Sequence, residues 1–322
     1  MAIRPLRLRT GFHTFDRWLY NASVALQPPR DADLVVGFDL DGFLWARRRS
    51  QPFVASLKGI VADELRNERG WVRVLLSVQA RWERRNAERA DLVVVSSRYQ
   101  AEVAARVYGV SPSRVAVVPE CIDLERWQAD FGRAARRPRH GPVVLSVARF
   151  YPRKRMGDLL RAAAILRADH PDIRVRVVGR GPEWEAVQRL HAELRLGESV
   201  VLLGDVSGEQ VAEEYVNADC FCLPTVQEGF GIVFLEAMAA GLPVVSCRAS
   251  AVPEVVLDGE TGILTPPRDP AALAAAIASL LAEPAWARGM GEAGRKRAAG
   301  FTPERVAQTF LEAVHSVVRA MR

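Results

Sequence analysis

The chain is 322 residues long, 49% hydrophobic and 25% charged, enough for two domains of ordinary size, each with its own core. No apolar run reaches the roughly 18 residues of a membrane span, and no charged, apolar and small-residue leader opens the sequence, so the composition predicts a cytosolic protein. The formal charge of +6 is uneven: residues 1–140 carry 24 Lys and Arg against 16 Asp and Glu, the remainder 20 against 22.

The basic first half suits an anionic partner such as a lipid phosphate or an anionic membrane surface; an arginine-rich solvated surface is the plainer reading. Nucleic acid is not expected, because the arginines are dispersed and no DNA- or RNA-binding fingerprint is present. Residues 1–30 interleave Arg4, Arg7, Arg9 and Arg17 with Leu6, Leu8, Phe12, Phe15, Trp18 and Leu19. That mixture fits a lid packed over the first domain slightly better than a membrane interface.

The first strand is predicted at Leu34 to Phe38, opening into Asp39-Leu40-Asp41-Gly42. An Asp-x-Asp pair invites a divalent metal, but two aspartates two apart are also common in loops. A second strand, Pro52 to Leu57, ends at Lys58-Gly59; a charged helix (Asp63 to Arg69), a long helix (about Trp71 to Arg89) and a third strand (Leu92 to Val95) follow. Lys58 suits a phosphate or another anion, and equally a surface position. A fourth strand, Val115 to Val118, leads to Pro119-Glu120-Cys121-Ile122-Asp123, where Glu120 suits a ligand hydroxyl or an arginine partner. The basic stretch Arg133 to His140 reads as a linker. The four cysteines (Cys121, Cys220, Cys222, Cys247) lack metal or redox spacing, and two alternate along one strand, as core residues in a reducing compartment do.

The second half alternates strands at Val143 to Val147, Ile173 to Val178, Val200 to Leu203, Cys220 to Leu223 and Pro243 to Ser246 with helices, one carrying Met156, Leu159, Leu160, Ala163 and Leu166 at amphipathic spacing. Such alternation predicts an α/β fold with a parallel sheet that binds ligands at the carboxyl ends of its strands. Three loops fall at that edge: Arg149-Phe150-Tyr151-Pro152-Arg153-Lys154, Gly179-Arg180-Gly181-Pro182 and Gly204-Asp205-Val206-Ser207. The second lacks the third glycine of a dinucleotide fingerprint. A fourth, within Pro224 to Gly241, runs through Glu228-Gly229-Phe230-Gly231 into a helix, leaving the amides of Gly231, Ile232 and Val233 unpaired as a seat for phosphate. Glu228 and Glu236 flank that seat, and carboxylates suit sugar hydroxyls rather than phosphate. Later helices start at Asp269-Pro270 and Thr302-Pro303-Glu304, the last with Val306, Phe310, Val314 and Val317 on one face.

The run EGFGIVFLEAMAAGLPVV closely resembles the signature of the retaining glycosyltransferases of family four. The resemblance, extending from about Asp91 to the C-terminus, implies a GT-B fold: two Rossmann-like domains whose parallel sheets face each other across a cleft. The expected domains are an acceptor-side domain at 1–139, a donor-binding domain at 140–301 and a C-terminal helix at 302–322 crossing back to the first. It further implies that Glu228 and the backbone of Phe230, Gly231, Ile232 and Val233 hold the transferred sugar, and that Glu236 binds the ribose. Arg149 and Lys154 would neutralise the diphosphate, Gly179 would lie in the family's Gly-x-Gly-Pro turn, and the loop at Val206 would meet the nucleobase. Glu228, Arg149 and Lys154 would be catalytic, with Lys58 and Glu120 on the acceptor side.

The implied activity is metal-independent, cofactor-free and retaining transfer from a nucleotide-diphosphate sugar to an acceptor glycan or lipid-linked sugar, in glycolipid or surface polysaccharide synthesis; the expected location is the cytoplasm, with a peripheral contact at the inner membrane face as the alternative. Two departures stand out. The family's His-Gly pair is Lys58-Gly59 here, and the usual opening strand with its glycine-rich loop is missing, so the first domain is shortened. A non-catalytic nucleotide-sugar-binding protein therefore remains an alternative, and a sugar-nucleotide epimerase a lesser one.

Overall fold

The computed structural model describes residues 13–26, 32–47, 49, 51–138 and 140–320. The basic and aromatic residues Arg4 to Phe12 and the linker residue Arg139 lie outside them. By its contacts the chain divides into two compact units, Met1–Pro119 with Val306–Arg322, and Glu120–Arg305.

The first unit contains α1 (His13–Leu26), β1 (Val35–Phe38), β2 (Phe53–Leu57), α2 (Val61–Glu64), α3 (Gly70–Arg89), β3 (Leu92–Val95), α4 (Arg98–Tyr108) and β4 (Val115–Val117). The strands pair in sequence order as a parallel sheet. Because successive side chains point to opposite faces, Phe53, Ala55, Leu57, Val93 and Val95 join one core with Val24 of α1, Ala87 of α3 and Val103 of α4. Val54, Leu92 and Val94 join the other. The charged run expected as a helix over Asp63 to Arg69 yields only the short α2. Arg69 is extended and Gly70 turns at φ +58°, which redirects the chain into α3.

The second unit runs α5 (Leu124–Arg133), β5 (Val143–Val147), α6 (Met156–Asp169), β6 (Arg174–Val178), α7 (Trp184–Glu193), β7 (Val200–Gly204), α8 (Gly208–Val216), β8 (Cys220–Leu223), α9 (Ile232–Ala240), β9 (Val244–Cys247), α10 (Val252–Val255), β10 (Gly262–Thr265), α11 (Pro270–Ala282) and α12 (Pro284–Ala298). Its six parallel strands lie in the order β10-β9-β8-β5-β6-β7. The apolar face read on α6 is buried: Met156, Leu159, Leu160, Ala163 and Leu166 all belong to the core. β10 had no counterpart in the sequence reading. It opens on Gly262, where a Cβ would lie 2.0 Å from the Val244 carbonyl oxygen, so a strand-breaking residue is what the close pairing requires.

The final helix, α13 (Pro303–Ala320), packs Val306, Phe310, Val314 and Val317 on the second face of the four-stranded sheet. It belongs to the first unit from Val306 onward, although the chain reaches it only after completing the second.

Candidate functional site

The order of the six-stranded sheet reverses at the β5/β8 pair: β5 leads outward to β6 and β7, β8 outward to β9 and β10. Right-handed crossovers running in opposite directions from that point leave a crevice beyond the carboxyl ends of the two strands. The loops that leave β5 and β8 there carry the residues singled out in the sequence.

These loops are joined through the backbone. The Val226 N–H and the Thr225 hydroxyl both donate to the Arg153 carbonyl, at 2.9 and 3.2 Å. A 3₁₀ turn at Pro152–Lys154 then directs Lys154 toward the β8 loop, where its Nζ lies 2.5 Å from Glu228 Oε1. The pair is nearly enclosed, with side-chain exposures of 13% and 9%. The Glu228 N–H donates to Ser250 Oγ at 2.8 Å, fixing the loop from the β9 side. Arg149, at the mouth of β5, is exposed and makes no ion pair among the described residues.

Gly231 caps α9 in the left-handed region at φ +97°, where a Cβ would lie 2.6 Å from the Phe234 ring and 3.7 Å from Glu228 Cγ. The N–H groups of Gly231, Ile232 and Val233 have no acceptor among the described residues. Three free amides at a helix N-terminus next to a Lys–Glu pair are an arrangement able to take up an anion beside a polar wall. The Phe230 ring is buried against Phe301, centroids 5.5 Å apart, so its side chain is not available to a ligand.

On α9, Glu236 accepts a hydrogen bond from Tyr215 Oη at 2.9 Å. Burial raises its pKa above the usual carboxylate range, and the tyrosine donor opposes that rise. Gly179 (φ +107°) sits where a Cβ would meet the Ala148 carbonyl oxygen at 2.0 Å, so the turn after β6 packs directly on the chain leading to Arg149. Val206 lies half-buried just before α8, whose start is fixed by a capping box of Ser207 and Gln210.

The remaining sequence candidates belong to the carboxyl edge of the first unit's sheet, or to the start of the second unit. Lys58 is exposed, its N–H donating to Asp39 Oδ1 at 2.9 Å and its amine 5.9 Å from the Phe38 ring. Asp41 pairs with Arg17 at 3.2 Å and accepts from Asn21 at 3.2 Å, so protein donors engage both carboxylates of the Asp-x-Asp pair. Behind Lys58, the N–H of Val61 donates to Glu83 Oε2 at 2.9 Å and that of Ala62 to Tyr108 Oη at 3.2 Å, while Tyr108 also donates to Glu83. Glu83 is fully buried, its pKa pushed up by burial to about 8. Glu120 opens the second unit, half-buried.

The sequence reading did not single out Thr225, Ser250 or Tyr215. Ser250 was within reach, since the carboxyl-edge rule applies to the strand before it as well as to the other four. Tyr215 gave no signal: in sequence it is one more aromatic on a buried helix face.

Residues 130–297 match the family of glycosyl transferases group 1, and residues 3–126 match glycosyltransferase family 4. The chain belongs to the glycosyl transferases group 1 family. It is 37% identical over 253 residues to a GDP-mannose-dependent alpha-(1-6)-phosphatidylinositol monomannoside mannosyltransferase of Mycolicibacterium smegmatis, an alignment covering 75% of this chain and 65% of that protein. It is 33% identical over 248 residues to a D-inositol 3-phosphate glycosyltransferase of Streptomyces avermitilis, covering 72% of this chain and 53% of that one. The chain thus spans between half and two thirds of these curated relatives. Among solved structures, a sucrose-phosphate synthase from Thermosynechococcus elongatus superimposes with a TM-score of 0.79 at 25% identity, over 97% of this chain and 81% of that chain. The architecture is the GT-B fold of this group 1 family.

Proposed function

We propose that this chain is a retaining, metal-independent glycosyltransferase that moves a sugar from a nucleotide-diphosphate sugar to a hydroxyl of an acceptor glycan or lipid-linked sugar. The observation that carries the reading is the Lys154–Glu228 pair beside the unfilled amides at the start of α9. Breaking a sugar–phosphate bond leaves an oxocarbenium-like sugar and a nucleoside diphosphate with growing negative charge. Lys154, Arg149 and the free amides of Gly231, Ile232 and Val233 supply preorganised positive charge for the departing diphosphate, which is where catalysis gains most. Glu228 holds the sugar, Glu236 the ribose, and the donor phosphate takes the acceptor's proton. Fixed cations and amides do this work without a divalent metal or a cofactor.

Of the relatives, one is named for GDP-mannose and a phosphatidylinositol mannoside, the other for inositol 3-phosphate. Both acceptors are anionic, in keeping with the +8 balance of residues 1–140. Lys58 and Glu120 are the acceptor-side candidates.

For a lipid-linked acceptor the enzyme works at a membrane surface on the cytoplasmic side, and not on nucleic acid. No single helix among the described residues is long and apolar enough to cross a membrane. The start of α3, by contrast, exposes Trp71 (73%) and Val72 (51%) between the exposed Arg69 and Arg73, with Val74 (49%) just beyond. An apolar cluster flanked by cations is the composition of an interfacial contact.

A thermal-shift screen with GDP, UDP and ADP sugars tests the donor site. Release of nucleotide only when an acceptor is added separates a transferase from a binding protein. NMR of the product must show retention at the anomeric carbon; an inverted linkage rejects the assignment. Sedimentation with phosphatidylcholine vesicles, with and without phosphatidylglycerol, tests the membrane contact. Binding to anionic vesicles that Trp71→Ser does not weaken removes α3 from it.

A further inference from the structure

Tyr215 lies on α8 with no exposed surface, enclosed by aromatic rings. Trp127 and Phe131 of α5 meet it edge-on, at centroid distances of 5.5 and 6.2 Å, and Phe221 of β8 stacks on it at 6.0 Å. Phenylalanine would fill such a site as well. A hydroxyl there is a liability unless it finds a partner, and its one hydrogen bond among the described residues goes to Glu236 Oε2 at 2.9 Å. Tyr215 is in turn the only hydrogen-bond partner of the Glu236 carboxylate among the described residues. Oε2 is therefore held by the protein and Oε1 is left without a protein donor.

We propose that Tyr215 is a positioning residue of the nucleotide site: it fixes the Glu236 side chain from behind, so that the free oxygen is presented to the ribose hydroxyls. The ring cannot swing away, because α5 and β8 clamp it, so the donor geometry is set before any ligand arrives. That is the arrangement preorganised binding requires. The proposal deepens the reading of Glu236 as the ribose ligand and rests on it.

The same contact sets a pH dependence. Burial pushes the Glu236 pKa up, and the Tyr215 hydrogen bond restrains it. Of the charged groups on the packed helices, Glu213 and Glu214 on α8 face Arg137, Glu214 also Arg176, Arg126 and Arg133 on α5 face Asp130, and Arg295 on α12 donates to the Ala240 carbonyl. Losing the tyrosine donor must therefore raise the pKa further, and neutral Glu236 then appears at a higher pH.

The test measures affinity of the full chain for GDP and UDP and for their 2′,3′-dideoxy forms, from pH 5 to 8. Wild type should favour the ribose form on the order of 10-fold or more, the effect of a charge-assisted hydrogen bond, and lose that preference on acidification. Tyr215→Phe should shrink the preference and move its acid limb to higher pH. Phe131→Leu, which loosens the clamp without touching the hydroxyl, should do the same more weakly and serves if Tyr215→Phe does not fold. Glu236→Gln should abolish both the preference and the pH limb. If it does not, the ribose reading itself fails. If Glu236→Gln abolishes them while Tyr215→Phe leaves both unchanged, only the positioning role is overturned.

Discussion

Lys154 and Glu228 stand 74 positions apart in the sequence, yet their side chains meet at 2.5 Å in a nearly enclosed site. Each neutralises the other, which lets the cation that the proposed function assigns to a diphosphate be held in a poorly solvated place. Lys154→Met leaves Glu228 partly buried without its counter-charge. It should lower turnover by on the order of 10²-fold or more and cost about 1–3 kcal/mol of stability. Glu228→Gln retains an acceptor for the lysine but not its counter-charge, so it should lose activity at a smaller cost in denaturant midpoint than Lys154→Met. Steady-state kinetics and urea unfolding of the two variants separate these effects.

Gly231 allows the chain to turn into α9 at φ +97° beside the Phe234 ring. Gly231→Ala places a methyl in a left-handed conformation and within 2.6 Å of that ring. It should destabilise the protein by about 1–3 kcal/mol, and nucleotides should no longer raise its melting temperature. Undiminished nucleotide stabilisation in this variant would show that the α9 amides do not seat the phosphate.

Glu83 sets a pH dependence of stability in the first unit. Its folded pKa, raised by burial to about 8 from an ordinary 4.5, means that the folded state keeps a proton that the unfolded chain releases. Stability from this group is thus fully present below the unfolded value and is lost as pH rises toward 8, at up to about 1.4 kcal/mol per pH unit. Glu83→Gln, always neutral, should remove that slope and be relatively most stabilised above pH 8. Melting temperatures at pH 6 and pH 9 for both proteins provide the comparison.

The thiols differ in accessibility. Burial raises the pKa of Cys220 to about 12 and of Cys247 to about 11, and holds Cys222 well above the usual thiol range, whereas Cys121 is exposed. Iodoacetamide at pH 7.5 should label Cys121 alone in the folded protein and all four cysteines in guanidinium, as intact-mass spectra would record.

Much of the candidate site is legible in the sequence because its residues lie in loops that follow strands, and strand-to-loop transitions are marked locally. Lys154, Glu228 and the Gly231 turn are each legible from neighbours within a few positions. Their mutual distance is not, since only the β5/β8 pairing brings the two loops together. Short β10 was missed because its first residue is a glycine required by a neighbouring carbonyl rather than by its own strand. α1 was obscured by the mixed basic and aromatic character of residues 1–30. Tyr215 was hidden for a different reason: the value of a buried hydroxyl depends on a partner 21 positions away on another helix.

The return of α13 to the four-stranded sheet has a practical consequence for dissecting this molecule. A stop codon placed after the last strand of the second unit would remove the apolar cover from Val54, Leu92 and Val94, so the damage would appear in a region far upstream of the deletion. Anyone wishing to isolate the half that carries Lys154 and Glu228 must cut near both 120 and 305. To express the other half, the helix must be grafted back through a new connection.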